Sequence, residues 1–516
     1  MQTLSDLIAR NAHLHADQPC FAGTWTLTHA QYASRCWRLA NAWLDRGVRP
    51  GDRVAFLLRN CIEALEVYGA AEAAGFVAVP LNWRLAATEL SQVLQDCQPA
   101  AVVTSAEFRG ALDSACSHIG LQPDIAAIDG NQAAYEPLLR AGSPERPAPR
   151  PRPGDLANIV YTSGTTGRPK GVMWTHGAML AAAQDLALAT SARPTDRIAI
   201  SMPLFHVGAK IEWLGVQVIG GSCVLLTQFN ELAFFQAVQD SGANVAHLAP
   251  TMVARLVQHE ARSSFRLQGL HRIQYGSAPV RGDDLRRAVG AFGNIFYQIY
   301  GMTEHMCISI LSPWEVRLDG DERDALRLES AGKPFLRTEV RIVGEDGVDV
   351  PHGQEGEIVV RSPGTTRGYY NAPGPTDEAF FDGGWLRTGD IGRSERDGTL
   401  FVVDRRKDMI VSGGENIYSR EVEDVLLAHP AIKEAAVIGV PDPRWGETVK
   451  AIVVLHAGVQ RLPEAELLAL CKDRLAGYKK PNSFDCVDAL PRLPHGKVDK
   501  KSLRAPYWAQ QSRRVA

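Results

Sequence analysis

Residues 156–171 read "LANIVYTSGTTGRPKG", an apolar run followed by a loop rich in hydroxyls and glycines that contains Lys170. The apolar part has the length and composition of a strand. A strand feeding such a loop presents backbone N–H groups, hydroxyls and one positive charge to an anion. A Walker A loop is excluded, because that motif needs glycine directly before lysine, and here Arg168 and Pro169 separate Gly167 from Lys170. The stretch therefore predicts a phosphate-binding loop of another kind, with a flexible polar surface loop as the structural alternative.

Around this loop, short apolar runs alternate with longer amphipathic segments. The strand candidates include "RVAFLL", "AVVTS", "RIAISM", "CVLLT" and "NIFYQIY", while "ELSQVLQDC" and "LAFFQAVQDSG" show helical spacing. This alternation predicts an α/β body with largely parallel sheets. After about Lys333 the runs "TEVRIV", "GEIVVR" and "GTLFVV" are separated by glycine-rich turns, which indicates a smaller antiparallel sheet or barrel.

A chain of 516 residues is too long for one hydrophobic core, so at least two domains are expected. We place the boundary between residues 403 and 404. Residues 404–516 read as a small α+β domain, with a helix in "SREVEDVLLAH" capped by Ser419, strands in "AAVIGV" and "KAIVVLH", and a helix around "EAELLALCKDRL". The proline-rich "GSPERPAPRPRPG" (142–154) resembles a linker, but strand and helix texture continues on both sides, so we interpret it as a stiff surface loop.

The composition is that of an ordinary globular protein. A net charge of -3 gives no basic surface for a polyanion, which argues against nucleic acid as a partner. The nine cysteines are scattered without a C-x-x-C pair, so neither a disulfide framework nor a zinc site is indicated. The first residues lack a signal-peptide pattern, and no apolar stretch reaches membrane-spanning length. We expect a reduced, soluble, cytoplasmic protein.

Further motifs follow the loop in a recognisable order. "YTSGTTGRPKG" resembles the signature of the adenylate-forming (AMP-binding) superfamily, and the later segments extend the similarity over essentially the whole chain: "PLFHVG" (203–208), "YGSAP" (275–279), "IYGMTE" (299–304), "WLRTGD" (385–390), "DRRKDMIVSGGENIYSREVE" (404–423) and "LPHGKVDK" (493–500). The resemblance is to the branch of acyl-CoA synthetases, or acid–CoA ligases. It implies that a carboxylate attacks the α-phosphorus of ATP to give acyl-AMP and pyrophosphate, and that the acyl group then passes to coenzyme A. It also implies a large N-terminal body of two α/β sheets plus a β-barrel-like part, with a small mobile C-terminal domain.

The resemblance assigns the phosphates of ATP to the opening loop. The implied contacts are Thr162, Ser163, Gly164, Thr165, Thr166, Gly167 and Lys170. Glu304 is the implied Mg²⁺ ligand, with Thr162 nearby, since an ion that bridges phosphates takes only one or two protein oxygens. By resemblance, Lys497 stabilises the transition state of adenylation, and His206 gates the passage between the acyl pocket and the nucleotide.

The nucleoside has its own implied contacts. Asp390 and Arg405 resemble the pair that holds the ribose hydroxyls. The adenine pocket is assigned to two segments, which comprise Gly276, Ser277, Ala278, Pro279, Tyr300, Gly301, Met302 and Thr303.

Transfer to coenzyme A is assigned to a rotation of the small domain. Lys407 occupies the hinge position of the family, and Gly413 and Gly414 would line the pantetheine tunnel, where the lack of a Cβ permits close approach. The implied contacts of the CoA nucleotide are Arg84, Trp445 and Lys480. Asp404 and His495 depart from the commoner residues of the family, but neither change removes a reacting group.

The acid is less well defined by the sequence. The pocket segments "HLAPTMVARLV" and "GMTEHMCIS" are mostly apolar or small, which favours an aliphatic or aromatic monocarboxylate and an activity in fatty acid metabolism. Lys210, just beyond the gate, either recognises a second polar group of the substrate or is a snorkelling helix lysine. Many relatives form homodimers.

Three alternatives stay open at this point. An acyl-AMP ligase would deliver its product to a carrier-protein thiol or another nucleophile, and a requirement for free CoA separates it from a CoA ligase. A luciferase-type oxidation would need a special substrate. A non-catalytic nucleotide-binding scaffold is disfavoured by Lys497, Glu304 and Asp390.

Overall fold

The computed structural model describes residues 1–24, 26–131, 133–162, 169–276, 282–318, 320–405, 408–412, 415–443, 445–459, 462–475, 477–493 and 497–509. The chain divides into two compact units. The first comprises Met1–Val340, Val360–Leu386 and Asp397–Leu400, and the second comprises Arg341–Val359, Arg387–Arg396 and Phe401–Ala516. The domain boundary at 403/404 remains a prediction.

The strands follow one another along the chain as β1 (Pro19–Phe21), β2 (Leu27–Thr28), β3 (Arg53–Leu57), β4 (Val77–Pro80), β5 (Ala101–Thr104), β6 (Asp124–Ala127), β7 (Leu156–Thr162), β8 (Lys170–Thr175), β9 (Arg197–Ile200), β10 (Ser222–Leu225), β11 (Val245–Leu248), β12 (Arg272–Gly276), β13 (Phe296–Met302), β14 (His305–Leu311), β15 (Lys333–Pro334), β16 (Glu339–Val343), β17 (Gly356–Arg361), β18 (Phe380–Phe381), β19 (Trp385–Ser394), β20 (Leu400–Arg405), β21 (Ile410–Ser412), β22 (Glu415–Ile417), β23 (Ile432–Asp442), β24 (Gly446–Leu455) and β25 (Ser483–Cys486).

The α-helices are α1 (Leu4–Leu14), α2 (His29–Asp45), α3 (Ile62–Ala74), α4 (Ala87–Cys97), α5 (Ala106–Ile119), α6 (Tyr135–Ala141), α7 (His176–Ala189), α8 (Val207–Gln217), α9 (Glu231–Gln239), α10 (Pro250–Gln258), α11 (Gly282–Phe292), α12 (Glu322–Arg327), α13 (Pro373–Ala379), α14 (Ser419–Leu427), α15 (Glu464–Arg474) and α16 (Lys500–Trp508). Among the described residues, none of these helices is long and apolar enough to cross a membrane.

Two sheets dominate the first unit. One has nine strands in the order β15-β14-β13-β12-β11-β9-β10-β1-β2, and its central strands β13, β12, β11, β9, β10 and β1 run parallel. The other has six strands in the order β6-β5-β3-β4-β7-β8, parallel except for the β7–β8 pair. The prediction of an α/β body with largely parallel sheets is confirmed.

Helices fill the space between these two sheets and cover their outer faces. The largest hydrophobic cluster joins residues of both sheets with residues of α2, α3, α7 and α8. A second cluster packs the other face of the nine-stranded sheet against α9 to α11, and a third packs the six-stranded sheet against α4 and α5. Strands buried on both faces are apolar along their length, which is why their sequences form continuous apolar runs rather than alternating ones.

The proline-rich stretch belongs to the surface of this unit. It contains no helix or strand between Ala141 and Leu156. The Asn41 amide of α2 donates to the backbone oxygens of Ser143 and Glu145, and Arg146 forms an ion pair with Asp6 of α1. Because these contacts bind the segment to two helices of the same unit, it is a surface loop, as predicted, and not a linker between domains.

Two five-stranded sheets complete the chain. The strands β16-β17-β19-β18 form one sheet, with β20 paired to β19, and this is the smaller β part expected after Lys333. In the second unit, β22-β21-β24-β23 form the other, with β25 beside β24 and with α14 and α15 contributing to its apolar core.

The start of α14 differs from the prediction. Its N-cap is Tyr418 rather than Ser419, and Tyr418 makes no side-chain capping bond. The Ser419 hydroxyl instead donates to Oδ2 of Asp404 at 3.0 Å. The prediction of Ser419 as the cap was wrong because this carboxylate accepts the hydroxyl proton from outside the helix.

Candidate active site

The opening motif lies at the turn of an antiparallel hairpin. Thr162 ends β7 and stands opposite Lys170, which begins β8, and the Thr162 hydroxyl donates to the Lys170 backbone oxygen at 3.4 Å. The two ends of the loop are therefore fixed by the six-stranded sheet. The residues predicted for the middle of the loop, Ser163, Gly164, Thr165, Thr166 and Gly167, lie outside the described residues.

Glu304 occupies a tight turn between two antiparallel strands. Met302 ends β13 and pairs with His305 at the start of β14, so only Thr303 and Glu304 form the turn. The indole nitrogen of Trp174 in β8 donates to the Thr303 backbone oxygen at 3.0 Å. The backbone N–H of Thr366 donates to the Glu304 backbone oxygen at 2.9 Å. The turn is thus anchored from β8 on one side and from the 366–369 segment on the other.

The carboxylate of this turn is buried and hydrogen-bonded. Glu304 is 8% exposed, and the Tyr369 hydroxyl donates to its Oε1 at 2.8 Å. The ammonium of Lys170 lies 4.9 Å from the centre of the Tyr369 ring. Burial, followed by the neighbouring Glu304 charge, raises the pKa of Tyr369, so this hydroxyl keeps its proton as a donor. Lys170, Tyr369 and Glu304 therefore form one cluster at the loop end of the β7–β8 hairpin.

The segments assigned to adenine meet at neighbouring strands. Gly276 ends β12 opposite Ile299 of β13, and half-buried Tyr300 follows Ile299. A Cβ on Gly276 would lie 2.5 Å from the Ile299 oxygen, and one on Gly301 would lie 2.1 Å from the Met306 oxygen. Both contacts are closer than a side chain tolerates, so backbone approach requires glycine at each position. Ser277, Ala278 and Pro279 lie outside the described residues.

The proposed gate stands at the first turn of α8. His206 is the N-cap residue of that helix, is half-buried, and its ring centre lies 4.5 Å from that of Phe205. Arg84 lies close by, with its guanidinium 4.7 Å from the Trp83 ring and 5.9 Å from the Phe205 ring. Burial, followed by repulsion from Arg59, lowers the pKa of Arg84. The structure thus places the predicted CoA contact Arg84 beside the segment that carries the gate.

Lys210 is neither a snorkelling surface residue nor an available cation. It is 1% exposed, and its Nζ lies 2.6 Å from Oε1 of Glu72 in α3. The rings of Tyr68 and Trp213 lie 4.3 and 4.4 Å from the same nitrogen. The snorkelling interpretation is wrong, and the positive charge is neutralised inside the core by Glu72.

The two residues predicted to hold the ribose lie on paired strands of the smaller sheet. Asp390 is a buried residue of β19, and Arg405 ends β20, the strand that pairs with β19. The Asp390 backbone N–H donates to the Thr388 hydroxyl at 3.1 Å, and that hydroxyl donates to the Ile358 oxygen at 2.7 Å. This small network fixes the backbone that carries the Asp390 carboxylate.

Three further predicted residues lie in the second unit. The Lys497 backbone oxygen accepts from Leu493 N–H at 2.8 Å, next to a bridge between Arg492 and Val498, so the lysine closes a short loop. Trp445 is 46% exposed at the turn between β23 and β24. Half-buried Lys480 directly follows the short 3-10 helix Gly477–Lys479. Lys407, Gly413 and Gly414 lie outside the described residues.

Residues that support Glu304 were missed by the sequence analysis. Trp174, Thr366 and Tyr369 come from segments distant in the chain, so their bonds to the turn depend on tertiary packing. The string "RGYY" (367–370) offers aromatic residues and a glycine, but nothing in it indicates a carboxylate partner.

Comparisons with known proteins identify the class of enzyme to which this fold belongs. The family model described as AMP-binding enzyme matches residues 8–370, and that described as AMP-binding enzyme C-terminal domain matches residues 421–497. The chain belongs to the AMP-binding enzyme family. It is an AMP-forming carboxylate–CoA ligase that uses ATP and CoA.

Individual relatives cover nearly the whole chain. A feruloyl-CoA synthase of Amycolatopsis sp is 38% identical over 95% of this chain and 96% of its own length. The long-chain-fatty-acid–CoA ligase FadD13 of Mycobacterium tuberculosis is 34% identical over 94% and 93%. The structure of o-succinylbenzoate CoA synthetase from Bacillus subtilis, in complex with its acyl-adenylate intermediate, superposes with a TM-score of 0.85 at 31% identity, covering 96% and 97%.

Proposed function

We propose that this ligase activates an apolar carboxylic acid, aliphatic or aromatic, and transfers the acyl group to free CoA. The observation that carries the adenylation step is the cluster of Lys170, Tyr369 and Glu304, which sets a cation and a carboxylate beside the phosphate-loop hairpin. The apolar substrate is supported by relatives named for a feruloyl and a fatty acyl group.

In this proposal the two ends of the loop hold the triphosphate while pyrophosphate leaves. Thr162 and Lys170 fix the loop, and the Lys170 charge offsets that of the phosphates. Lys497 supplies a second positive charge where negative charge develops during attack of the carboxylate on the α-phosphorus. Asp390 and Arg405 hold the ribose, and Tyr300 with its neighbours holds adenine.

Glu304 and Thr162 are the proposed protein ligands of Mg²⁺. Among the described residues, no group of three or more His, Cys, Asp and Glu side chains is arranged to hold a metal ion. That fits an ion bound chiefly by phosphates, which needs only one carboxylate and a hydroxyl from the protein. When bound, Mg²⁺ neutralises phosphate charge, and the task of Tyr369 is to orient the Glu304 carboxylate toward it.

Thioester formation is assigned to the C-terminal domain, which we place at residues 404–516. His206 would separate the acyl pocket from the nucleotide. Arg84, Trp445 and Lys480 are the proposed contacts of the CoA nucleotide, and Lys407 is the proposed hinge, with Gly413 and Gly414 at the pantetheine tunnel. The Asn482 side-chain amide donates to the Thr448 hydroxyl at 2.5 Å. Asn482 lies two residues after Lys480, and Thr448 lies three residues after Trp445. Trp445 and Lys480 therefore belong to the same end of the β24–β25 pair.

The test supplies ATP, Mg²⁺ and a panel of short, medium, long and aromatic acids, with and without CoA. Pyrophosphate and acyl-CoA are followed separately. The expected result is acyl-CoA with AMP for at least one apolar acid. Pyrophosphate without any thioester would refute transfer to free CoA and favour a carrier or another nucleophile.

A matched pair of variants tests the assigned site in the same assay. Glu304→Gln should slow pyrophosphate release by roughly a hundredfold, the loss expected when one transition-state contact is removed. Glu378→Gln, which makes the same change at an exposed position of α13, should leave the rate unchanged. Equal rates for both variants would refute the assignment of Glu304.

A further inference from the structure

The last turn of α4 carries a carboxylate that bonds two distant segments of the first unit. Oδ2 of Asp96 accepts a hydrogen bond from the Tyr161 hydroxyl at 2.5 Å. The side-chain amide of Asn371 donates to Oδ1 of Asp96 at 3.3 Å and to the Asp96 backbone oxygen at 3.2 Å. Tyr161 follows Asp96 by 65 residues and Asn371 follows it by 275. One helix end therefore joins two parts of the chain that are widely separated in sequence.

The first of these parts is the β7–β8 hairpin. Tyr161 stands opposite Gly171 in the register of the two strands, and Thr162 stands opposite Lys170 one position further. A Cβ on Gly171 would lie 3.0 Å from Cζ of the Tyr161 ring, so the ring lies directly against this glycine. A Tyr161 side chain held by Asp96 therefore constrains the strand ends that carry Thr162 and Lys170.

The Tyr161 hydroxyl is suited to this bond. Burial, followed by the neighbouring Cys97 thiol and then the Asp96 carboxylate, raises the pKa of Tyr161, so the hydroxyl keeps its proton and acts as a donor. A hydroxyl that donates to a carboxylate forms a stronger bond than one that donates to a neutral group. The contact between α4 and the hairpin is thus a strong one.

The second part is the 366–371 segment, which Asn371 ends. The backbone N–H of Tyr370 donates to the Gly171 oxygen at 2.7 Å, so this segment lies along β8. Asn371 has a φ of 51°, in the left-handed region that residues other than glycine seldom adopt. Its two bonds to Asp96 hold the chain in this conformation two residues after Tyr369.

The hairpin and the segment meet at the cluster described above. Lys170 belongs to the hairpin and Tyr369 to the segment, and the ammonium lies 4.9 Å from the centre of the tyrosine ring. Tyr369 in turn donates to Glu304 at 2.8 Å. Asp96 thus bonds both of the chain segments whose side chains form this cluster.

We propose that Asp96 is a positioning residue for the triphosphate of ATP. By holding Tyr161 and Asn371, it fixes the β7–β8 hairpin against the 366–371 segment. Lys170 and Tyr369 are thereby kept side by side, where a cation and an anchored carboxylate meet the terminal phosphates. This inference rests on the proposed function, in which the ribose and adenine are held by other strands. Asp96 therefore affects the binding of ATP but not that of AMP.

The test measures binding of ATP and of AMP to the full chain by calorimetry in the presence of Mg²⁺. Asp96→Leu removes both acceptor oxygens at similar side-chain volume. Its Kd for ATP should rise about tenfold, the change expected for the loss of one hydrogen bond to a charged group, while its Kd for AMP stays the same. Equal weakening of both nucleotides would show a general structural role and overturn the inference, as would unchanged binding of ATP.

Further variants show whether Asp96 acts through Tyr161. Tyr161→Phe deletes the donor and keeps the ring, so it should also weaken ATP binding and leave AMP binding unchanged. The double variant Asp96→Leu/Tyr161→Phe should bind ATP no more weakly than Asp96→Leu alone. Asp96→Asn keeps an oxygen that accepts from Tyr161 and should retain most of the affinity. Additive losses in the double variant would overturn the assignment.

Asp113→Leu is the matched control. It removes an exposed carboxylate from α5, where Asp113 forms an ion pair with Arg109 at 2.9 Å, and should leave both Kd values unchanged. Because these binding measurements need neither acid nor CoA, they separate this inference from the proposed function. Weaker binding of ATP alone by Asp96→Leu, in a protein that makes no acyl-CoA from any acid, would support the inference and refute the proposed function. An unmodified protein that binds no ATP would refute both.

Discussion

The buried pair of Lys210 and Glu72 allows a quantitative test of what this lysine does. Both side chains are 1% exposed, their charged atoms lie 2.6 Å apart, and two aromatic rings cover the ammonium. Lys210→Met keeps an unbranched chain of similar length but leaves the Glu72 carboxylate without its partner. Removing one member of a buried ion pair costs about 3–5 kcal/mol of stability, because the remaining charge stays desolvated.

That cost is large enough to measure by calorimetry. At roughly 2 °C per kcal/mol for a unit of this size, Lys210→Met should lower the Tm by about 6–10 °C. Burial already raises the pKa of Glu72, and loss of the opposing Lys210 charge raises it further. The double variant Lys210→Met/Glu72→Gln removes both charges and should recover much of the loss, giving a coupling free energy above roughly 1 kcal/mol.

Two results would refute this reasoning. A Tm within about 1 °C of the unmodified protein would show that the pair contributes little, and additive losses in the double variant would show that the two residues act independently. The same variants decide the substrate question. If Lys210 only neutralises Glu72, its loss lowers kcat/KM equally for neutral acids and dicarboxylates when measured well below the Tm, whereas selective loss for a dicarboxylate would assign it to the substrate.

Three further predictions concern the site. Tyr369→Phe removes the hydroxyl that donates to Glu304 and positions its carboxylate. The Mg²⁺ concentration for half-maximal pyrophosphate release should therefore rise roughly tenfold. An unchanged half-maximal Mg²⁺ concentration would contradict the positioning role. Burial raises the pKa of Glu212 from 4.5 to about 8, so between these values the native state keeps a proton that the unfolded chain has lost. The stability contributed by Glu212 is therefore complete below pH 4.5 and is lost as the pH rises through 8. Glu212→Gln should accordingly flatten the fall in Tm between pH 6 and 9, and parallel curves would argue against it. Lys497→Met should slow acyl-AMP formation by roughly 10²–10³-fold. The rate of acyl transfer from synthetic acyl-AMP to CoA should change only a few-fold. Equal losses in both steps would contradict a specific role of Lys497 in adenylation.

The two large sheets could be predicted because most of their central strands are buried on both faces. β3, β5, β9 and β13 appear in the sequence as short apolar runs, and the intervening helices show their amphipathic spacing wherever one side meets solvent. Helix α3 shows the limit of such patterns. Nearly all of its residues are buried, including Glu66 and Glu72, so its acidic residues indicate charge partners in the core rather than an exposed face.

The candidate site was predictable only where its residues are contiguous. The hairpin ends at Thr162 and Lys170 and the turn at Glu304 are each contained in one short motif. The hydrogen bonds from Trp174, Thr366 and Tyr369 join distant segments, and a single sequence does not reveal such partners. The same limit applies to Lys210, whose partner Glu72 lies on another helix, and to Ser419, whose hydroxyl bonds Asp404 instead of capping α14.

The anchoring of the Thr303–Glu304 turn has a consequence for biosynthesis. Trp174 leaves the ribosome well before the turn it holds, whereas Thr366 and Tyr369 are translated after it. A nascent chain that stops before residue 366 has one anchor of the turn and lacks the donor to the Glu304 carboxylate. The carboxylate therefore gains its final orientation only once the chain has been extended past Tyr369, so an incomplete translation product cannot hold this site in its finished form.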